Sequence, residues 1–259
     1  MFKSNGYIVV GIDQPYVDAA VTLDHGQVIP GWTRDQLQPL IRQSLSPAQI
    51  VPSVNGQALS NGIIPYLAQD VSFTLDQLTS LNGKDPNNIL TGHLDLNRIG
   101  TFGVSLGAMV AGEACRTDLR IKACLMMDAA MPFDVEQSGL RQPAMWMTRP
   151  ASDMRAEKWK EADISQTLNT MRTVYNDKSA QGRYYVQIPG MFHTNFTDAP
   201  YYSPVAHLLG LAGPINAQRG FDIVNAYSLS FFNNSVQGQE ESLLNGASTL
   251  FPEVTFEKR

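Results

Sequence analysis

The chain has 259 residues with 19 basic and 24 acidic side chains, a formal charge of −5, and it is 43% hydrophobic and 17% charged. That balance excludes a disordered chain, and the lack of any lysine–arginine cluster excludes an electrostatic nucleic-acid binder. No apolar run nears the roughly 18 residues that a membrane-spanning helix needs.

In chain order, residues 7–12, Tyr-Ile-Val-Val-Gly-Ile, form a continuous apolar run closed by Asp13-Gln14-Pro15. Such a run predicts a strand buried on both faces, as in a parallel sheet. Residues 28–62 are broken by Pro30, Gly31, Pro39, Pro47, Pro52, Gly56 and Gly62. They read as a lid-like or inserted segment with one short helix over 35–44. Leu67, Val71, Leu75, Leu78 and Leu81 lie along one stripe of a 3.6-residue period and predict a helix over 66–81. Pro65 suits its first turn, and Asn82-Gly83 supplies the stop.

Residues 98–104 then read as a strand, 106–115 as a buried helix and 121–127 as a strand. This βαβ unit implies parallel pairing. Further strands are predicted over 144–148 and 184–188. A helix over 162–175 lies between them and faces inward through Ile164, Leu168, Met171 and Tyr175. A last helix over 220–236 presents Ile223, Ala226, Tyr227, Ser230 and Phe231. The whole reads as a single α/β domain over 1–259, with a mostly parallel sheet and helices on both faces. Cys115 and Cys124 fall on the helix and strand of the βαβ unit and read as buried thiols. Two cysteines make neither a disulfide framework nor, alone, a zinc site.

Gly103-Val104-Ser105-Leu106-Gly107 matches G-x-S-x-G at the point where a strand passes into a helix, the context that gives the pattern meaning. A nucleophilic serine has to stand on a sharp turn, and glycines remove the side chains that would collide in it. The N–H of Leu106 then points into the site as an oxyanion donor. The serine needs a base, and in this fold class the acid and then the histidine follow it in the chain. Of the four histidines, that order passes over His25 and His93. His193 lies in a loop beyond the strand 184–188, whereas His207 sits at a helix end, so His193 is the expected base. The acid must hold the imidazole in the right tautomer. Asp128, at the end of the strand after the nucleophile's helix, is the first candidate. Asp153, after the next strand, competes with it, and Asp198 lies only five residues beyond His193. Trp146, Met191, Phe192 and Phe196, beside strand ends, are candidates to line an acyl pocket.

These residues resemble the platelet-activating-factor acetylhydrolase-like α/β-hydrolases and related carboxylesterases. The resemblance is carried by the Asp-Gln-Pro-Tyr stretch after residues 7–12 and by the run 103–107. Asp128 in Met-Met-Asp-Ala-Ala-Met and His193 in Gly-Met-Phe-His-Thr-Asn-Phe complete it. It implies an α/β-hydrolase fold and places the acid after the strand that follows the nucleophile, which favours Asp128 over Asp153. It also implies cofactor-independent, metal-free hydrolysis of carboxylic esters with acetyl or other short acyl groups, through an acyl-enzyme. The substrate would be a small-molecule or lipid-like ester. A thioesterase or acyltransferase on the same triad is the neighbouring activity, and a catalytically impaired binding module is the rival from another class.

In such hydrolases the second oxyanion donor comes from a loop after the third strand, often as His-Gly. The chain resembles one that starts at the fourth strand, so the expectation is an N-terminally shortened fold. Three arrangements would fit: upstream strands, direct pairing of residues 7–12 with 98–104, or a homo-oligomer that completes the sheet. His25-Gly26 is a weak substitute, since it follows the first strand. The few apolar residues 7–10 are too short for a secretory leader. The default expectation is therefore a cytoplasmic protein, or a secreted one if a segment precedes it.

Overall fold

The computed structural model describes residues 2–54, 56–177, 181–203 and 205–259. Where the sequence reads as one domain, these fall into two compact units, residues 2–96 with 132–134, and residues 97–131 with 135–259.

In the first unit, β1 (Ala20–Thr22) and β2 (Val28–Pro30) form an antiparallel hairpin in which Val21 faces Ile29. Helix α1 (Arg34–Leu45) begins at Thr33, whose backbone N–H donates to Oε1 of Gln36 at 2.9 Å. After the small hairpin of β3 (Ser53–Val54) and β4 (Gln57–Ala58) comes α2 (Ile64–Gly83). The start of α2 docks on the end of α1, where the N–H of Ile64 donates to Ser44 Oγ at 3.0 Å. Gly62 is required at this crossing. Its φ is +70°, and a Cβ there would lie 2.4 Å from the carbonyl oxygen of Leu40. The helix predicted over 66–81 is thus present and a little longer.

The strand predicted over residues 7–12 does not form. The segment is irregular, and Ile8, Val9, Val10 and Ile12 are exposed. A β-branched run is only compatible with a strand; a ladder also needs a partner's N–H and C=O groups. Order resumes at Gln14, whose amide donates to the carbonyl of Leu67 at 3.0 Å and to Asp70 at 3.2 Å on α2. Direct pairing of 7–12 with the nucleophile's strand is therefore not the arrangement adopted.

The second unit carries the sheet. In chain order it runs β5 (Ile99–Val104), α3 (Leu106–Thr117), β6 (Ile121–Met127), then α4 (Phe133–Ser138), whose first residues belong to the other unit. It continues with β7 (Ala144–Thr148), α5 (Ala151–Ala156), α6 (Glu161–Asn176), β8 (Arg183–Gln187), α7 (Ala199–Tyr202), α8 (Val205–Leu208), α9 (Ala217–Gln237) and β9 (Thr255–Lys258). The strands stand in the order β5-β6-β7-β8-β9, with the first four parallel and β9 antiparallel to β8. Every helix and strand predicted over 98–236 is found within a few residues of its expected limits. Strand β9 was not foreseen. It is held from the side by Arg172 of α6, whose guanidinium donates to both carboxylate oxygens of Glu257 at 2.7 and 2.8 Å.

The register sorts the helices onto faces. Gly103, Met126, Trp146 and Tyr185 are successive partners across the sheet and share one face. On that face Gly103 abuts Gly107 and Ala108 of α3, and Trp146 and Tyr185 pack on Tyr175 of α6. Phe102, Leu125, Met145 and Tyr184 share the other face. There Phe102 meets Phe232, and Tyr184 meets Phe231, both on α9. Helices thus cover both faces, and β6, β7 and β8 are buried almost throughout, as their apolar runs require.

Cys115 and Cys124 form a disulfide, with Cα atoms 6.4 Å apart, correcting the reading of separate thiols. Helix α3 turns back onto β6 after only three residues, and residues on facing sides of that turn come within bonding reach.

Candidate active site

In a parallel sheet all strands end at the same edge, and here the ladder continues one residue past each strand. The N–H of Ser105 donates to Met127 O at 3.0 Å, that of Asp128 to Met147 O at 2.8 Å, and that of Ile188 to Thr148 O at 2.9 Å. Ser105, Asp128 and Arg149 therefore stand side by side at the ends of β5, β6 and β7, and the loop carrying His193 departs from the end of β8.

Ser105 lies between β5 and α3 at φ 57° and ψ −125°, a conformation that costs a non-glycine residue about 1–3 kcal/mol. The turn is possible because a Cβ on Gly103 would fall 2.2 Å from the backbone of Gly107. The N–H of Leu106, first in α3, has no carbonyl one turn back to bond and is available to an oxyanion. Asp128 also has a positive φ, 49°.

The Asp128 carboxylate is fully buried and held by three donors. Thr148 Oγ1 donates to Oδ1 at 3.0 Å, while Oδ2 receives Arg149 Nε at 3.0 Å and faces His193 Nδ1 at 2.7 Å. The His193 side chain is about a quarter exposed. Its backbone N–H donates to Glu157 Oε2 at 3.1 Å, and its ring lies 5.4 Å from that of Trp159. Among the described residues no hydrogen bond joins the Ser105 hydroxyl to this ring.

The histidine loop is fastened at several points. Gly190 N–H donates to Asp153 Oδ2 at 2.6 Å, so the competing acid grips the loop backbone rather than the imidazole. The buried Asn195 accepts from the N–H groups of Phe192 and Gly213, both at 2.8 Å. A Cβ on Gly213 would lie 2.3 Å from the Gly190 carbonyl oxygen, so the two loop segments touch backbone to backbone.

Asp198 is exposed, His207 bonds through its ring to Gly213 O at 3.2 Å, and His25 sits in the β1–β2 turn of the other unit. Of the four residues expected to line an acyl pocket, Trp146 belongs to the core. It is fully buried against Tyr175, with its indole N–H on the Met131 sulfur at 3.3 Å. Met191 and Phe196 are buried as well, and Phe192 is half-buried.

Sequence reasoning missed Thr148, Arg149, Glu157 and Trp159. Arg149 left a signal, as a charged residue one position beyond the run Ala144-Met-Trp-Met and its closing Thr148. It is fully buried, ion-paired with Asp128 and with Glu157, and its guanidinium lies 4.8 Å from the centre of the Trp159 ring.

The family described as "Platelet-activating factor acetylhydrolase, isoform II" matches residues 72–248. A "Probable 1-alkyl-2-acetylglycerophosphocholine esterase" of Arthroderma benhamiae (strain ATCC MYA-4681 / CBS 112371) is 24% identical over 268 residues, which cover 98% of this chain and 60% of that protein. A solved ferulic acid esterase from Streptomyces cinnamoneus superposes with a TM-score of 0.66 at 23% identity, over 95% of this chain and 64% of the other. The chain thus spans about three fifths of the length of these two proteins. The superposition shows the α/β-hydrolase fold.

Proposed function

The chain belongs to the platelet-activating factor acetylhydrolase, isoform II, family, and on that footing we propose that it is a serine hydrolase of carboxylic esters acting through Ser105, His193 and Asp128. The observation that carries this reading is the 2.7 Å contact between His193 Nδ1 and Asp128 Oδ2, at the sheet edge where Ser105 occupies its strained turn. A carboxylate on Nδ1 leaves Nε2 as the free nitrogen of a neutral imidazole, the form that accepts a proton.

Ser105 Oγ attacks the ester carbonyl as His193 Nε2 takes its proton, and Leu106 N–H donates to the oxyanion. The tetrahedral intermediate collapses, the alcohol leaves with the proton from Nε2, and Ser105 is acylated. Water, deprotonated by the same nitrogen, then releases the acid. The relatives' names, an acetylglycerophosphocholine esterase and a ferulic acid esterase, both denote esters of carboxylic acids. Among these, acetyl and other short acyl esters are the proposed substrates.

The test is hydrolysis of p-nitrophenyl acetate, butyrate and octanoate by the purified chain, with Ser105→Ala and His193→Ala as controls. Turnover that falls with chain length and is abolished in both variants supports the reading. Turnover that survives Ser105→Ala overturns it.

A further inference from the structure

Arg149 and Glu157 have no place in a Ser-His-Asp mechanism, yet both converge on His193. Arg149 is 0% exposed and the Glu157 side chain 17%. A buried guanidinium is costly unless paired, and this one is shared between two carboxylates. Through Nε it donates to Asp128 Oδ2, the same oxygen that faces His193 Nδ1, and through Nη1 it meets Glu157 Oε2, the same oxygen that accepts the His193 backbone N–H. Asp128 and Glu157 thus grip one histidine, by ring and by backbone, and one arginine bridges them from behind.

The charges give this arrangement a meaning. A plain triad sets one negative carboxylate against the imidazole. Here there are two carboxylates, and the guanidinium restores the sum to a single negative charge. We propose that Arg149 and Glu157 are positioning residues that act as a matched pair, locking the Asp128 rotamer and the His193 backbone while holding the net charge against the imidazole at minus one. This rests on the reading of His193 as the base, but its electrostatic core does not depend on turnover.

Three other charged or titratable groups lie close by and are the same in every variant compared below. Asp153, on α5, faces Gly190 N–H of the loop, and Lys158, next to Glu157, is exposed. Tyr185 of β8, which interacts with Asp128, is neutral; burial, partly opposed by the Arg172 charge, pushes its pKa up to about 12.

The experiment is an NMR titration of the His193 ring, assigned by its loss in His193→Gln, in the wild type, Glu157→Gln, Arg149→Met and the double variant. Glu157→Gln removes one negative charge, so the midpoint should fall by about one pH unit. Arg149→Met leaves both carboxylates unopposed, so it should rise by about one unit or more. The double variant restores a sum of minus one and should return near the wild-type midpoint. Identical midpoints in wild type and Glu157→Gln, or a double variant that merely adds a further shift, would overturn the proposal. Arg149→Met is at risk of misfolding, but Glu157→Gln is nearly isosteric and decides the matter alone. Ester assays on the same samples separate the two ideas. A protein inert toward esters whose midpoints move as described sinks the esterase reading and leaves the charge pair standing.

Discussion

His193 Nδ1 and Arg149 Nε meet on a single oxygen, Oδ2 of Asp128, at 2.7 and 3.0 Å. One oxygen of a buried carboxylate thus orients the imidazole while the guanidinium prevents that carboxylate from turning. The contact puts Asp128 on the imidazole, whereas Asp153 spends its own oxygen on Gly190 N–H, which supports the proposal of Asp128 as the acid.

The first prediction follows from that division of labour. Asp128→Asn should lower kcat/KM for a p-nitrophenyl ester by about four orders of magnitude, since an amide favours the wrong tautomer. Asp153→Asn keeps an oxygen for Gly190 N–H and should cost less than tenfold. Parallel steady-state kinetics on the two variants check the contrast, and comparable losses would reopen the assignment.

Asn195 is a structural prediction. Its one carbonyl oxygen satisfies two backbone N–H groups on either side of the histidine loop. Asn195→Ala leaves both without that partner and should destabilise the protein by about 2–3 kcal/mol. The loss is read by urea denaturation, and on the proposed mechanism kcat should fall as well because the loop that holds His193 is loosened.

The disulfide gives a third. Cys115 and Cys124 are nine residues apart, a short loop whose closure should contribute about 2–3 kcal/mol. Cys115→Ala with Cys124→Ala should lower the denaturation midpoint accordingly, and dithiothreitol should lower the wild type but not the variant.

The fourth concerns pH. The Arg172 hydrogen bond holds the Glu257 carboxyl below its ordinary range. A depressed carboxylate stabilises the fold above its unfolded pKa, near 4.5, and loses that contribution as pH falls through the folded value. Both side chains are more than a third exposed, so screening limits the pair to about 1 kcal/mol or less. Wild type should exceed Glu257→Gln by that margin at pH 7, and the two should converge in urea titrations as pH falls below the depressed folded value.

The legible parts of this sequence are those with strong local signals. The stripe Leu67, Val71, Leu75 fixes α2, the apolar runs fix β6 and β7, and the glycines around Ser105 fix the turn. Residues 7–12 misled because strand formation depends on a partner that a local pattern does not contain. Strand β9, Thr-Phe-Glu-Lys, is short and alternating and is stabilised by Arg172, more than eighty residues away in the chain. Trp146 was placed by its nearness to a strand end, but the register turns it toward Tyr175 and into the core. Glu157 was hidden for a related reason: its meaning lies in two contacts, with Arg149 and with the His193 backbone, that only the folded chain brings together.

Ser105 and Asp128 are spaced by a backbone ladder, whereas His193 is delivered by a tethered loop. The two halves of the site therefore differ in how freely they can be altered. A change in sheet register would relocate Ser105 and Asp128 together and would disrupt the core with them. A change in the loop between its clamps at Asp153 and Asn195 would leave the backbone ladder under Ser105 and Asp128 intact. Variation at the site can therefore collect in the loop beside His193, while the strand ends act as a fixed chassis.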